Sequence, residues 1–256
     1  MRRLIATLAC RLAGSRLYGK PLQNLDAEAG VPILQHQVNL LRSLPEVADV
    51  VLGIAEGRAN DALIEFAELQ DLTYIVGDEH DVLSRLIQCV NAVGGTDAIR
   101  LTTESPFTNW ERLADSWRMH IEHANDVTVL TEVPVGSGFE LFTVEALETS
   151  HREGAQRHRS ELCSLYVREH LDDFKVQILL GEEDVRRSDI RLTADYPEDL
   201  IVCRTVYGAL RADAPRIRLA DIVRFLDSRQ DLHALIAPYP SGSTWGSIAA
   251  ARAESS

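Results

Sequence analysis

The chain has 256 residues, 45% hydrophobic and 25% charged, which suits one α/β domain or two small ones. Its formal net charge of −13 argues against a general binder of nucleic acid or of an anionic membrane, so a polyanion must be met by a local basic pocket. No stretch approaches the roughly 18 apolar residues of a membrane span, and four scattered cysteines without a CxxC pair read as reduced thiols of a cytoplasmic protein.

Arg2 and Arg3 before LIATLAC resemble the start of a signal peptide. The apolar run is only about seven residues long, and Arg11 follows directly, so Leu4 to Cys10 reads as a buried first strand. A loop with Arg11, Gly14, Ser15, Arg16, Gly19 and Lys20 comes next. Small residues let backbone N–H groups approach an anion while Arg and Lys neutralise it, so the loop is a candidate phosphate cradle. An ordinary strand followed by a polar turn is the competing reading of this stretch alone.

Strand and helix patterns then alternate. Helices are predicted over 31–44, 60–70, 81–93 and 108–124, and strands over 47–54, 72–76, 97–102 and 126–131. The alternation predicts a mostly parallel sheet with helices on both faces. Residues 132–188 read as an inserted α+β excursion from the sheet, with strands at 138–143 and 175–180 and helices at 144–153 and 160–171. The sheet is expected to resume with a strand at 189–194, within DIRLTAD, followed by helices at 197–211 and 217–236. The whole reads as one domain over 1–237, with a Gly/Ser/Ala-rich, flexible C-terminal tail at 238–256.

In an open parallel sheet, ligands bind at the carboxyl ends of the strands. Glu104 in RLTTESP and Asp195 in RLTADYPED fall at two such ends, beside the cationic loop. Cations that hold phosphates, and carboxylates that hold a divalent ion bridging them, are what metal-assisted transfer on a nucleoside triphosphate requires. Each acid also precedes a Pro-containing helix start, where it would serve as a cap.

RLAGSRLYGKPL, RLTTESP and IRLTADYPEDL resemble motifs of the cytidylyltransferases that activate acidic sugars, such as the CMP-sialate and CMP-ketodeoxyoctonate synthetases. The branch named for spore-coat polysaccharide biosynthesis is the nearest in pattern. The resemblance continues through GDEHDVLSRL, PVGSGFELFTVEAL and ELCSLYVREH and covers roughly residues 4–211. It implies a Rossmann-like nucleotidyltransferase fold, CTP as donor, Mg as cofactor, pyrophosphate as product and a homodimer formed through the excursion. The transfer of CMP to an anionic acceptor is implied, in first place a sugar acid. A phosphorylated or phosphonate acceptor and a non-catalytic nucleotide-binding relative are the alternatives.

By position, Arg11, Arg16 and Lys20 would be the catalytic cations on the triphosphate, with Ala9, Cys10, Gly14, Ser15 and Arg100 also at the nucleotide. Glu104 and Asp195 would be the metal ligands, with Glu198 and Asp199 behind Asp195. Gly136, Glu140, Glu161 and Tyr166 would meet the acceptor. Thr103-Glu104 stands where the family usually has Gly-Asp, Tyr18 where it has Pro, and Leu162 where a His follows the excursion's Glu.

Other residues carry blander expectations. His120 and His123 read as a solvated helix face rather than a zinc site, and Trp110 and Trp117 as packing. Cys10 reads as core rather than nucleophile. The basic patch of His151, Arg152, Arg157, His158 and Arg159 reads as either a wet surface or a greeting for an acidic acceptor. Phe139, Leu141, Phe142, Leu162 and Leu165 supply the apolar surplus expected to form the dimer, or else a private core.

Overall fold

A computed structural model describes residues 2–239 and 244–254. The chain runs β1 (Leu4–Cys10), β2 (Asn24–Asp26), β3 (Val31–Pro32), α1 (Ile33–Arg42), β4 (Val47–Ala55), α2 (Asp61–Leu69), β5 (Thr73–Gly77) and α3 (Val82–Ala92). It continues with β6 (Asp97–Thr102), α4 (Leu113–Glu122), β7 (Val127–Thr131), β8 (Phe139–Thr143), α5 (Val144–Glu153), α6 (Leu165–Glu169) and β9 (Val176–Leu180). Four helices close it: α7 (Pro197–Leu210), α8 (Leu219–Asp227), α9 (Gln230–Ile236) and α10 (Thr244–Glu254).

Seven strands form one sheet in the order β5-β4-β1-β6-β8-β7-β9, with β8 antiparallel to both neighbours and the other pairs parallel. β1 is central and covered on both faces, and its side chains alternate between two cores as the strand period of two requires. Leu4, Ala6 and Leu8 pack with Leu34, Val38 and Leu41 of α1 and Phe66 of α2. Ile5 packs on the other face with Leu83, Leu86 and Cys89 of α3.

The expected alternation is present up to residue 131, but the chain beyond it departs from the expected excursion. Residues 139–143 and 176–180 do not leave the sheet; they are its members β8 and β9. IRLTAD, in turn, is not a sheet strand. Ile190, Leu192 and Ala194 are buried in a third core against α7, α8 and α9, so their alternation is satisfied by helices. Its β-pairing is confined to a single bridge between Val135 and Arg191 among the described residues.

Three smaller expectations change as well. The helix at 217–236 is broken at Ser228–Arg229, where Arg229 leaves helical geometry. The helix at 160–171 shrinks to Leu165–Glu169. The tail expected to be flexible contains α10, whose Trp245 is buried in the α3-side core with Ile248 packed beside it. One anchoring indole outweighs the low amphipathicity of the surrounding Gly, Ser and Ala.

Phe139, Leu141 and Phe142 are buried within the chain, leaving Leu162, 52% exposed, as the apolar residue of that set on the surface. Phe139 and Leu141 join the α1-side core and Phe142 the α3-side core, so these three residues form neither a private core nor a dimer face. His120 is also not solvated. It is fully buried, with its ring against Asp97 and Thr128, and Arg2 joins the same carboxylate. The basic patch is spoken for: His151 faces Asp81, Arg157 and His158 share Glu169, Arg152 meets Glu153, and Arg159 donates to the His151 carbonyl. All four cysteines are free and buried, and Cys10 has its thiol pushed up to about 12 by burial. Among the described residues no helix is long and apolar enough to cross a membrane.

Candidate active site

β1 ends at Cys10 between β4 and β6, so the loop after it lies over the middle of the sheet's carboxyl edge. The loop is closed by its own backbone, Gly19 N–H donating to Leu12 O at 2.9 Å. Two glycines are required by geometry. Gly19 has φ 63°, and a β-carbon at Gly14 would stand 2.4 Å from Leu17 O. The loop's start is fastened from outside, because Leu12 N–H donates to Asn60 Oδ1 at 2.8 Å while Asn60 Nδ2 donates to Ala55 O.

Two of the three loop cations converge on one acid. Lys20 Nζ lies 2.6 Å, and Arg16 Nη2 3.1 Å, from Asp195 Oδ1. The Arg16 guanidinium also sits over the Tyr196 ring, 4.8 Å from its centroid. Arg11 turns the other way, toward Glu79 and Glu161.

Asp195 is presented by Asp199, the third residue of α7. The buried Asp199 carboxylate accepts from the N–H groups of Asp195 and Tyr196, capping the helix, and takes a bidentate ion pair from Arg191. Glu104 follows β6 in a turn braced by Gln37 of α1, whose Nε2 donates to the carbonyls of Thr102 and Ser105. Burial raises the Glu104 carboxyl above the usual carboxylate range; Lys20 opposes that shift and Asp195 adds to it.

A cavity of about 320 Å³ opens between these parts, lined by Arg100, Glu104, Gly136, Glu140, Asp195 and Trp245 among others. Glu104 and Asp195, distant in the chain, thus face one space. Gly136, with φ 95°, lies against the Leu192 carbonyl where a β-carbon would be only 2.7 Å from the oxygen.

Not every residue anticipated at the site enters the cavity wall. Arg100, Glu104, Gly136, Glu140 and Asp195 do, whereas the loop residues Ala9, Cys10, Arg11, Gly14, Ser15, Arg16 and Lys20 do not, Arg16 and Lys20 reaching it only through Asp195. Glu161 and Tyr166 do not either. Glu161 is solvent-exposed and pairs with Arg11, while its carbonyl accepts from Arg100. Tyr166 stacks on His170 with a centroid distance of 4.1 Å. Glu140 is already engaged, by Arg100 at 3.3 Å and by the Trp245 indole N–H at 2.6 Å.

Sequence reading missed Asn60, Gln37, Arg191, Trp245 and Arg85. Arg85 lies on the buried face of α3 and donates to the carbonyls of Cys10, Gly53 and Glu79 at the carboxyl ends of β1, β4 and β5. A charged residue among Leu83, Leu86, Cys89 and Val90 at helical spacing was the available signal.

A cationic loop and two strand-end carboxylates around a cavity at the edge of such a sheet suit nucleotidyl transfer. A family model described as cytidylyltransferase matches residues 5–234. The chain belongs to the cytidylyltransferase family. As a member it is a CTP-dependent nucleotidyltransferase, the chemistry expected from its loop and acids.

Relatives of this cytidylyltransferase agree along most of its length. The spore coat polysaccharide biosynthesis protein SpsF of Bacillus subtilis is 26% identical over 233 residues, covering 90% of this chain and 97% of the relative. Among solved structures, a cytidylyltransferase from Leptospira borgpetersenii superimposes with a TM-score of 0.81 at 19% identity, covering 91% of this chain and 97% of that one. The CMP:2-keto-3-deoxy-manno-octonic acid synthetase complexed with CTP gives a TM-score of 0.61 at 16% identity, over 81% of this chain and 99% of that one. The two structures establish the fold of the cytidylyltransferase described here.

Proposed function

We propose that this cytidylyltransferase transfers CMP from CTP to an oxygen of an anionic small-molecule acceptor, in first place a sugar acid. The observation that carries the reading is the convergence of Arg16 and Lys20 on Asp195, with Glu104 and Arg100 on the wall of the same cavity. In this reading the triphosphate displaces Asp195 from the two cations. Arg16 and Lys20 then neutralise the phosphates, and Asp195 becomes available beside Glu104.

Two carboxylates are a small donor set, and among the described residues no group of three or more metal-binding side chains is present. Hard oxygen donors in that number fit magnesium, which takes one or two carboxylates and fills its remaining positions with phosphate oxygens and water. Glu104 and Asp195 would hold it, and when bound it would neutralise charge on the triphosphate. The acceptor oxygen forms a bond to the α-phosphorus as the bond to the β-phosphate oxygen breaks, and pyrophosphate leaves. Lys20 and Arg16 stabilise the charge gathering on the phosphate oxygens. A hydroxyl acceptor gives its proton to solvent, and an already ionised acceptor has none to give.

Arg100, expected at the nucleotide, is assigned in this reading to the acceptor: it lines the cavity paired with Glu140, and its remaining N–H donors suit a carboxylate, phosphate or phosphonate. Cytoplasmic location belongs to the same proposal. So does a homodimer with the exposed Leu162 in its interface; light scattering that gives a monomer at micromolar concentration would remove it.

The test is a pyrophosphate-release screen of the four nucleoside triphosphates against sugar acids, sugar phosphates and phosphonates. Release is expected with CTP and magnesium in the presence of a sugar acid. Release only with phosphates or phosphonates would move the acceptor class, and no release with any pair would overturn the reading. Calorimetry should show CTP with magnesium binding more tightly than ATP or GTP.

A further inference from the structure

The cavity has two kinds of wall. On the loop side it is bounded by segments that carry Lys20's partner Asp195. The other kind is formed by Arg100 and Glu140, register partners on the neighbouring strands β6 and β8. A third contributor, α10, comes from the far end of the chain and covers this side.

Three observations show that α10 is built into the wall. Trp245 is 6% exposed, lines the cavity and gives its indole N–H to Glu140 Oε1 at 2.6 Å. The other Glu140 oxygen accepts from Arg100 Nη1 at 3.3 Å, so indole, carboxylate and guanidinium form one chain of contacts. Beside it, α10 presses so close to the cavity-lining Glu132 that a β-carbon on Gly246 would lie 1.7 Å from Glu132 Oε1. Glu132 itself has φ 56°, a left-handed conformation that is unfavourable for a non-glycine residue and is held in place by its surroundings.

The consequence concerns the charge offered to a ligand. Glu140 is held at both oxygens, by Trp245 and by Arg100, so it acts as a fixed counter-ion. It holds the long Arg100 side chain in one orientation, helped by the bond from Arg100 Nη2 to the Glu161 carbonyl at 3.0 Å. Trp245 in turn restricts Glu140 to the rotamer that does this. Without the indole N–H, one Glu140 oxygen would lose its partner inside a buried site and the carboxylate would be free to turn.

We propose that α10 completes the acceptor half of the site, and that Trp245 is a positioning and specificity-determining residue that holds Arg100, through Glu140, toward the anionic group of the acceptor. This rests on the proposed transfer of CMP to an anionic acceptor. Trp245 bounds the space available to the acceptor with its ring and fixes the position of the cation with its N–H. The first property selects on size and the second on the placement of negative charge.

Trp245→Phe separates the two, because the ring is largely kept and the donor is lost. With the acceptor that works best in the screen, this variant should raise the acceptor KM at least tenfold. The KM for CTP should stay within about twofold, and the kcat at saturating acceptor within about threefold. Equal rises in both KM values, or no change in either, would overturn the proposal.

A second measurement does not depend on turnover. In protein labelled with 5-fluorotryptophan, the fluorine resonance missing from Trp245→Phe belongs to Trp245. With CMP in the nucleotide site, that resonance should move on titration with sugar acids, sugar phosphates or phosphonates that bind. A resonance that no member of the panel moves would overturn the proposal. Failure of the underlying reading would look different: wild-type protein would release no pyrophosphate from CTP with any acceptor.

Discussion

The N–H of Ala194 donates to the carbonyl oxygen of Glu104 at 2.8 Å. This bond joins the turn after β6 to the segment leading into α7, and it places Asp195 beside Glu104 although IRLTAD is not a strand of the sheet. Asp195→Asn keeps the size of the side chain and removes its charge, so turnover should be abolished. Repulsion between Asp195 and Glu104 would by itself make the change neutral or stabilising. The structure instead surrounds Asp195 with Lys20, Arg16 and, at 3.5 Å, Arg191. Asparagine should therefore lose about 1–2 kcal/mol of stability, read by urea denaturation beside a pyrophosphate-release assay.

Glu104→Asp restores the acid usual in the resembled cytidylyltransferases. Its backbone is pinned by Ala194, so the substitution shortens the reach by one methylene without moving the turn. Activity should be kept or rise. Loss of activity with unchanged folding would mean that the site is tuned to the longer side chain, and unaltered turnover in both this variant and Asp195→Asn would remove both acids from the metal site. The helix-cap reading is already closed, since Asp199 caps α7 and no helix starts at Glu104.

Lys20→Ala should weaken CTP binding by about 1.5–3 kcal/mol, the scale of one charge-assisted hydrogen bond. Lys20 belongs to a loop closed by backbone bonds, so the thermal transition should survive. Calorimetric titration of CTP and a melting curve check the two halves of this expectation.

Arg85→Ala should destabilise the protein by about 2–4 kcal/mol, because it removes a buried stem and leaves three carbonyls without this donor. The Cys10 carbonyl immediately precedes the phosphate loop, so CTP affinity should fall as well. Affinity equal to wild type in the folded variant would limit Arg85 to a structural role.

His36 of α1 is buried between Phe107 and Tyr207, and burial lowers its pKa from 6.5 to about 4. The folded state therefore resists a proton that the unfolded chain accepts below its ordinary pKa. The stability in question is fully present above pH 6.5, is lost as the pH falls, and levels off near pH 4. The total is about 3 kcal/mol. Urea denaturation at pH 7 and pH 4.5 should show this loss in wild type and a smaller one in His36→Gln; parallel losses would assign the acid sensitivity elsewhere.

Local pattern was enough for β1, for the alternation up to β7, and for the glycine- and cation-bearing loop, because period, small residues and charge are written residue by residue. It was also enough to single out Glu104 and Asp195 as acids after apolar runs. The membership of β8 and β9 in the sheet was not legible, since a short apolar run carries no label for its pairing partner. IRLTAD shows the same limit from the other side: alternation signals two environments, and here helices α7 to α9 supply what a neighbouring strand would have supplied.

Partnership across the chain was decided by tertiary structure alone. His120 looked like a surface residue until Asp97 and Thr128 were brought to its ring. Glu140 reads as a ligand for the acceptor, and only the fold shows Arg100 and Trp245 at its two oxygens. The composition of the C-terminal segment suggested loose chain, yet one indole docked in a cavity wall gives it a place. The sequence records which groups can carry charge, donate or bend. Whether a charge meets substrate or a counter-ion depends on which residue folding brings within about 3 Å, and that distance is set by packing between segments remote in the chain.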